Sequence, residues 1–114
     1  MICYDAETSN LVIVELKTGF VMDRARPARL NGSDCTMKFP FDATPDSLIN
    51  RHFAQLALTR LLFINEKHII QSLQKLGVTG VDGLLLYIDD EASTAYPLPT
   101  WWKQMAPTIL DQCI

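Results

Sequence analysis

Residues 81–88, VDGLLLYI, place six apolar side chains in a nearly unbroken run. A stretch of that length suits a strand at the centre of a sheet, covered on both faces, because an edge or half-exposed strand alternates apolar with polar positions. It is far short of the roughly 20 residues that a membrane span requires. A central strand needs neighbouring strands and packed helices, and the remainder of the chain supplies candidates for both.

Met1 to Tyr4 reads as a short strand and Leu11 to Lys17 as a second one, rich in Val and Ile. Between them DAETSN is turn chemistry, so the two form a β-hairpin with a loop of about five residues. Residues 21–45 hold Pro27, Pro40, Pro45 and Gly32 and read as a long irregular loop with an extended piece near Met37–Phe41. Thr44-Pro45-Asp46 looks like a helix start, with Thr44 as cap and Pro45 at the first helical position. Leu48, Ile49, Phe53, Leu56, Ala57, Leu61 and Ile64 then recur mostly at three- and four-residue spacing, the stripe of an amphipathic helix. A second helix, or a bent continuation of the first, covers about Lys67 to Leu76, and Gly77 stops it. After the 81–88 strand, Asp89-Asp90-Glu91 reads as a solvated turn, Ser93–Leu98 as an edge strand closed by prolines, and Thr100 to about Cys113 as a last helix with a kink at Pro107. The order β-β-loop-α-(α)-β-β-α predicts an α/β or α+β sandwich on one sheet, read here as α/β with a central mixed sheet, containing the β-hairpin, flanked by helices.

Size and composition bound the function. A chain of 114 residues, 48% apolar, makes one domain the expectation, with enough apolar surface for a core. A net charge of -3 gives no overall pull toward nucleic acid, so any such site must be a local basic patch. Cys3, Cys35 and Cys113 are odd in number and widely spaced, which points to reduced thiols in an intracellular, reducing compartment. Asp5 and Glu7 interrupt any amino-terminal apolar run, so no signal peptide is read there, and no membrane partner is expected.

The second strand contains the feature that needs explaining. Glu15 and Lys17 are two residues apart, so a strand turns both to one face together with Leu11 and Ile13. The plain structural reading is an exposed ion pair at a strand end, contributing about 0–1 kcal/mol. Downstream, HFAQLALTRLLF puts Gln55 on the amphipathic helix, followed by VDGLLLYI. In combination and order, IVELKTG, the Gln55 helix and the strand after it resemble the PD-(D/E)xK nuclease superfamily, particularly its RecB-like and phage-exonuclease-like members. The resemblance runs from Met1 to about Leu98 and rests on short motifs. In that superfamily a hairpin carries Asp on one strand and (Asp/Glu)-x-Lys on the next, and a Gln-x-x-x-Tyr helix follows. Thr59 stands here where the Tyr is expected.

The resemblance implies a restriction-endonuclease-like fold and hydrolysis of DNA phosphodiesters with Mg²⁺ or Mn²⁺. Glu15 and the backbone carbonyl of Leu16 are then metal ligands, as hard oxygen donors suited to such a cation. Lys17 positions the attacking water or stabilises phosphate charge, and Gln55 orients the substrate or Lys17. Arg24, Arg26 and Arg29, in DRARPARL, are the candidate phosphate contacts, against the alternative of a solvated loop.

A second carboxylate is harder to find. With a five-residue loop, Asp5 pairs with Leu11, Cys3 with Ile13 and Met1 with Glu15. Asp5 then shares the face of Glu15 but lies four residues away along the strand, roughly 13 Å at about 3.3 Å per residue, too far for one cation. The superfamily's Asp is expected opposite Glu15, at Met1 or just before it. Three expectations follow. The chain is a fragment that begins just after the Asp and lacks the leading helix and first strand; or it keeps the fold without hydrolysis, as a module binding nucleic acid or protein; or a shifted register makes Asp5 the ligand. A further alternative is an unrelated small α/β interaction protein.

The remaining features read as structural. His52 lies three residues before Gln55 on the same helix face, and a lone His is ordinarily a surface or partly buried residue. His68 reads as surface. Cys3 is expected to be a buried strand residue. Trp101-Trp102 are expected to anchor the last helix, one ring packed and the other partly exposed.

Overall fold

The computed structural model describes residues 1–18, 36–88 and 93–113. Its elements are β1 (Ile2–Asp5), β2 (Asn10–Lys17), α1 (Leu48–Ile64), α2 (Lys67–Lys75), β3 (Gly80–Ile88), β4 (Ser93–Pro97) and α3 (Thr100–Cys113). The four strands form one mixed sheet in the order β1-β2-β3-β4. β1 and β2 are antiparallel, β2 and β3 parallel, and β3 and β4 antiparallel. The protein is therefore a small α/β domain.

The hairpin turn is one residue tighter than its sequence suggests. Asp5 Oδ1 accepts a hydrogen bond from the Glu7 N–H at 3.0 Å, and Ser9 takes a left-handed φ of 58°. Four residues then suffice to reverse the chain, and the pairing becomes Ile2–Ile13, Cys3–Val12, Tyr4–Leu11 and Asp5–Asn10. Because side chains alternate, this one-residue slip exchanges the faces of β1. Ile2 and Tyr4 share the face of Ile13 and Glu15. Cys3 and Asp5 lie on the opposite face, and Cys3 is exposed rather than buried.

The start of α1 also differs. Pro45 forms a β-bridge with Thr36, and the Met37 N–H donates to the Thr44 carbonyl at 2.9 Å, which holds this stretch extended. The cap passes to Ser47, whose side chain accepts from the Asn50 N–H at 3.3 Å. Asp46 pairs instead with the Arg51 side chain, Oδ1 to Nε 2.6 Å. At the end of α2, Gly77 has φ 85°, the Val78 N–H donates to the Leu73 carbonyl at 3.0 Å and the Gly77 N–H to the Gln74 carbonyl at 3.1 Å. This is a Schellman motif, whose left-handed residue has no steric cost in glycine.

α1 packs on β3 and along α3. Ile13, Phe53, Leu56, Ala57, Val81, Leu85, Leu98, Trp102 and Ala106 belong to the core between them. Gly83 lets α1 approach, since a Cβ there would lie 3.0 Å from Leu56 Cδ2 and 3.1 Å from Leu98 Cδ2. β3 is buried on one face only: Val81, Gly83, Leu85 and Tyr87 are buried, whereas Asp82, Leu84 and Leu86 are half-buried. The expectation of cover on both faces is corrected to that extent. Trp102 is buried and Trp101 exposed, as anticipated.

Polar bonds tie the layers together. Arg60 Nε donates to the Val81 carbonyl at 2.6 Å, joining α1 to β3. Lys103 Nζ lies 2.7 Å from Asp82 Oδ1, and Asn10 Nδ2 donates to Asp82 Oδ2 at 3.1 Å. The hydrogen bond from Lys103 is the main reason that the Asp82 carboxyl titrates below its usual range. Among the described residues no helix is long and apolar enough to cross a membrane.

Leu56 is fully buried at this helix–sheet contact. Leu56→Ala is expected to lower the unfolding free energy by about 2–5 kcal/mol, and Gly83→Val by about 1–3 kcal/mol through overpacking. Urea denaturation measures both.

Candidate functional site

The crossover from β2 to the parallel strand β3 runs through α1, so α1 starts near the carboxyl ends of both strands and travels back across the sheet. Its deep residues Leu56 and Ala57 cover the sheet, while His52 and Gln55 come over the ends of the strands. There β2 contributes Glu15 and Lys17, which pair in register with Leu85 and Tyr87 of β3. Carboxyl ends of parallel strands are where ligands bind in open α/β sheets.

Five side chains meet at this rim. Lys17 Nζ donates to Gln55 Oε1 at 3.3 Å and lies 3.7 Å from Glu15 Oε1. Lys17 and Glu15 keep 27% and 29% side-chain exposure, so each is screened by protein and still reachable from solvent. Glu15 Oε2 is buried and makes no hydrogen bond. A carboxylate oxygen withdrawn from water without a donor is under-satisfied, and a cation or a donor from a ligand would satisfy it. His52 Nδ1 and the Tyr87 hydroxyl share a hydrogen bond of 2.6 Å, and Tyr96 packs edge-on against the Tyr87 ring with centroids 5.6 Å apart. Burial, and secondarily the Lys17 charge, push the His52 pKa down to about 4, so its imidazole is neutral at physiological pH.

Of the residues singled out from the sequence, Glu15, Lys17 and Gln55 come together. Leu16 follows Glu15 in β2. Met1 and Val14 exchange both backbone hydrogen bonds, so the alternating ladder turns the Leu16 carbonyl toward the β1 side, beyond the last pair of that ladder. Asp5 does not join the site. It sits at the far end of the hairpin, on the opposite face of the sheet, with its carboxylate committed to the turn. Thr59, at the position where Tyr is expected, bonds back to the Gln55 carbonyl of its own helix at 2.9 Å. His68 is exposed. Arg24, Arg26 and Arg29 lie outside the described residues.

Tyr87 and the pairing of His52 were missed by sequence reading. Tyr87 looked like one more apolar residue of a central strand. Its place beside Lys17 depends on the parallel register, which no turn encodes.

The oxygens fit a divalent cation in part: one carboxylate with an unsatisfied buried oxygen, and one backbone carbonyl at the adjacent position. Among the described residues no group of three or more His, Cys, Asp or Glu is placed to hold a metal ion. A hard ion held here would complete its shell with water and a ligand's oxygens, as Mg²⁺ ordinarily does. Comparison with protein-family models, with curated proteins and with solved structures finds no match to this chain.

The depressed His52 pKa has a signed consequence for stability. Between about pH 6.5 and pH 4 the unfolded chain binds a proton at this residue that the folded chain does not. Stability from this source is complete above about pH 6.5 and is lost as pH falls toward 4. Melting temperatures recorded across this range should fall with acidification, and the slope should flatten in His52→Gln.

Proposed function

We propose that this chain is a PD-(D/E)xK-like domain, with the restriction-endonuclease-like succession of hairpin, crossover helix and parallel strand, and that its rim site acts on DNA phosphodiesters. The observation that carries this reading is the convergence of Glu15, Lys17 and Gln55, the last two bonded although 38 residues apart in sequence. An ion pair that merely decorated a strand end would not need a helix amide directed at its lysine.

In this reading Glu15 and the Leu16 carbonyl would hold Mg²⁺ or Mn²⁺, and the ion, when bound, supplies Lewis-acid stabilisation of the phosphate and an activated water. The chain's own residues do the positioning. Gln55 fixes the Lys17 ammonium through its Oε1. Lys17 then presents N–H donors to a phosphate oxygen or to the attacking water, with its charge partly balanced by Glu15. The neutral His52, held by Tyr87, adds no second positive charge beside Lys17. Arg24, Arg26 and Arg29 supply backbone phosphate contacts from the segment that follows β2, each lost contact reducing the salt dependence of binding.

One carboxylate at the rim favours a second reading, a non-catalytic module on the same fold that binds nucleic acid. The two separate on Mg²⁺-dependent nicking of supercoiled plasmid at high protein concentration. Hydrolysis is expected to be weak, and to drop roughly 10²–10³-fold in Lys17→Ala, as when a single charge-stabilising donor is removed. Duplex binding by gel shift without cleavage supports the module. Neither cleavage nor binding, with Glu15→Ala and Lys17→Ala both silent, would overturn the nuclease kinship.

A further inference from the structure

His52 has a ring nitrogen to which the rim gives no partner. Its Nδ1 lies 2.6 Å from the Tyr87 hydroxyl. Among the described residues nothing bonds to its Nε2. Tyr87 is 4% exposed, and Tyr96 packs edge-on against its ring, so the hydroxyl is held in place. His52 itself is half-buried. The two nitrogens of an imidazole point apart, so a ring whose Nδ1 is turned to a buried hydroxyl presents Nε2 away from it. The hydroxyl also decides which nitrogen carries the proton. A phenol withdrawn from water needs an acceptor. Nδ1 accepts only when it carries no proton. Burial and the Lys17 charge keep the imidazole neutral, so its single ring proton then sits on Nε2. His52 thus offers a neutral N–H donor.

Gln55 is arranged in the same way. Its Oε1 accepts from Lys17 Nζ at 3.3 Å, which turns its amide N–H groups away from the ammonium. Among the described residues no acceptor takes those N–H groups. Gln55 is exposed and stands three residues after His52, on the same face of α1. Lys17 is paired in register with Tyr87, the residue that anchors His52. Of Lys17, His52 and Gln55, only Lys17 is charged. We infer that His52 Nε2–H and the Gln55 amide stand beside Lys17 as donors to the non-bridging oxygens of a phosphodiester, and that Tyr87 is the positioning residue that sets the His52 tautomer. This rests on the reading of the rim as a phosphodiester site, in which a cation held by Glu15 offsets the carboxylate charge. The match is chemical. A diester phosphate presents acceptor oxygens only, and its single negative charge meets a single ammonium and two neutral donors.

The full chain with isotopically labelled histidine is observed by long-range proton–nitrogen correlation at neutral pH, where the two ring tautomers give different patterns. His68, the other histidine, is exposed and serves as the internal reference. The expected pattern for His52 is Nε2–H. Adding a short DNA duplex with Ca²⁺, a hard ion that also takes oxygen ligands, is expected to shift the His52 Nε2 signal and leave His68 in place. Tyr87→Phe is expected to keep its circular dichroism and to give His52 a mixture of tautomers. Duplex affinity, measured by fluorescence anisotropy, is expected to fall about tenfold in His52→Leu. His52→Gln, whose amide keeps an N–H donor, should recover most of that loss. An Nδ1–H tautomer, or a His52 signal that saturating duplex leaves unmoved, overturns the inference while the nuclease reading stands. Equal affinity in His52→Leu and His52→Gln overturns it as well. An unchanged tautomer in Tyr87→Phe overturns the positioning role. If the unaltered chain binds no duplex at millimolar concentration, the inference falls together with the nucleic-acid reading.

Discussion

The parallel pairing of β2 with β3 is the constraint on which the rest of this structure depends. It forces a crossover, and the crossover is the amphipathic helix α1, whose Leu56 sits over Gly83. Parallel strands with a covering helix bring two strand ends and a helix start to one rim. Without that pairing, Glu15 and Lys17 would be an ion pair at the end of a free hairpin. Gln55, His52 and Tyr87 would have no reason to be near them.

The rim combines groups that solvent would otherwise keep independent. A carboxylate with one unsatisfied buried oxygen, an ammonium held by an amide and a neutral imidazole sit on the last turn of apolar packing. Each perturbs its neighbour: the Lys17 charge helps burial to keep His52 unprotonated, and Gln55 limits where Lys17 can go. Such mutual perturbation in a partly enclosed site is characteristic of places that bind and act on ligands, although structural networks produce it as well.

Much of this was legible in the residues themselves, and for identifiable reasons. The apolar stripe of α1, the Gly77 stop and the packed and exposed members of Trp101-Trp102 are local patterns with one physical solution each. The resemblance carried by the E-x-K strand and the Gln55 helix implied a shared pocket, and the geometry brings those groups together. What failed was set by single residues acting at short range. The Asp5 turn bond tightened the hairpin by one residue, moved Cys3 to the open face and took Asp5 out of contention as a ligand. The Thr36–Pro45 bridge shifted the helix cap from Thr44 to Ser47. Tyr87 escaped notice because a parallel register is fixed by packing rather than by a turn.

The most direct measurement is Mn²⁺ titration of the isotopically labelled chain, observed as paramagnetic broadening of backbone amide resonances. The account predicts that broadening begins at Glu15, Leu16 and Lys17 and spreads to His52 and Gln55, and that Glu15→Gln removes it. Broadening confined to Asp5, Asp46 or other acidic residues away from the rim, or unchanged in Glu15→Gln, would contradict it.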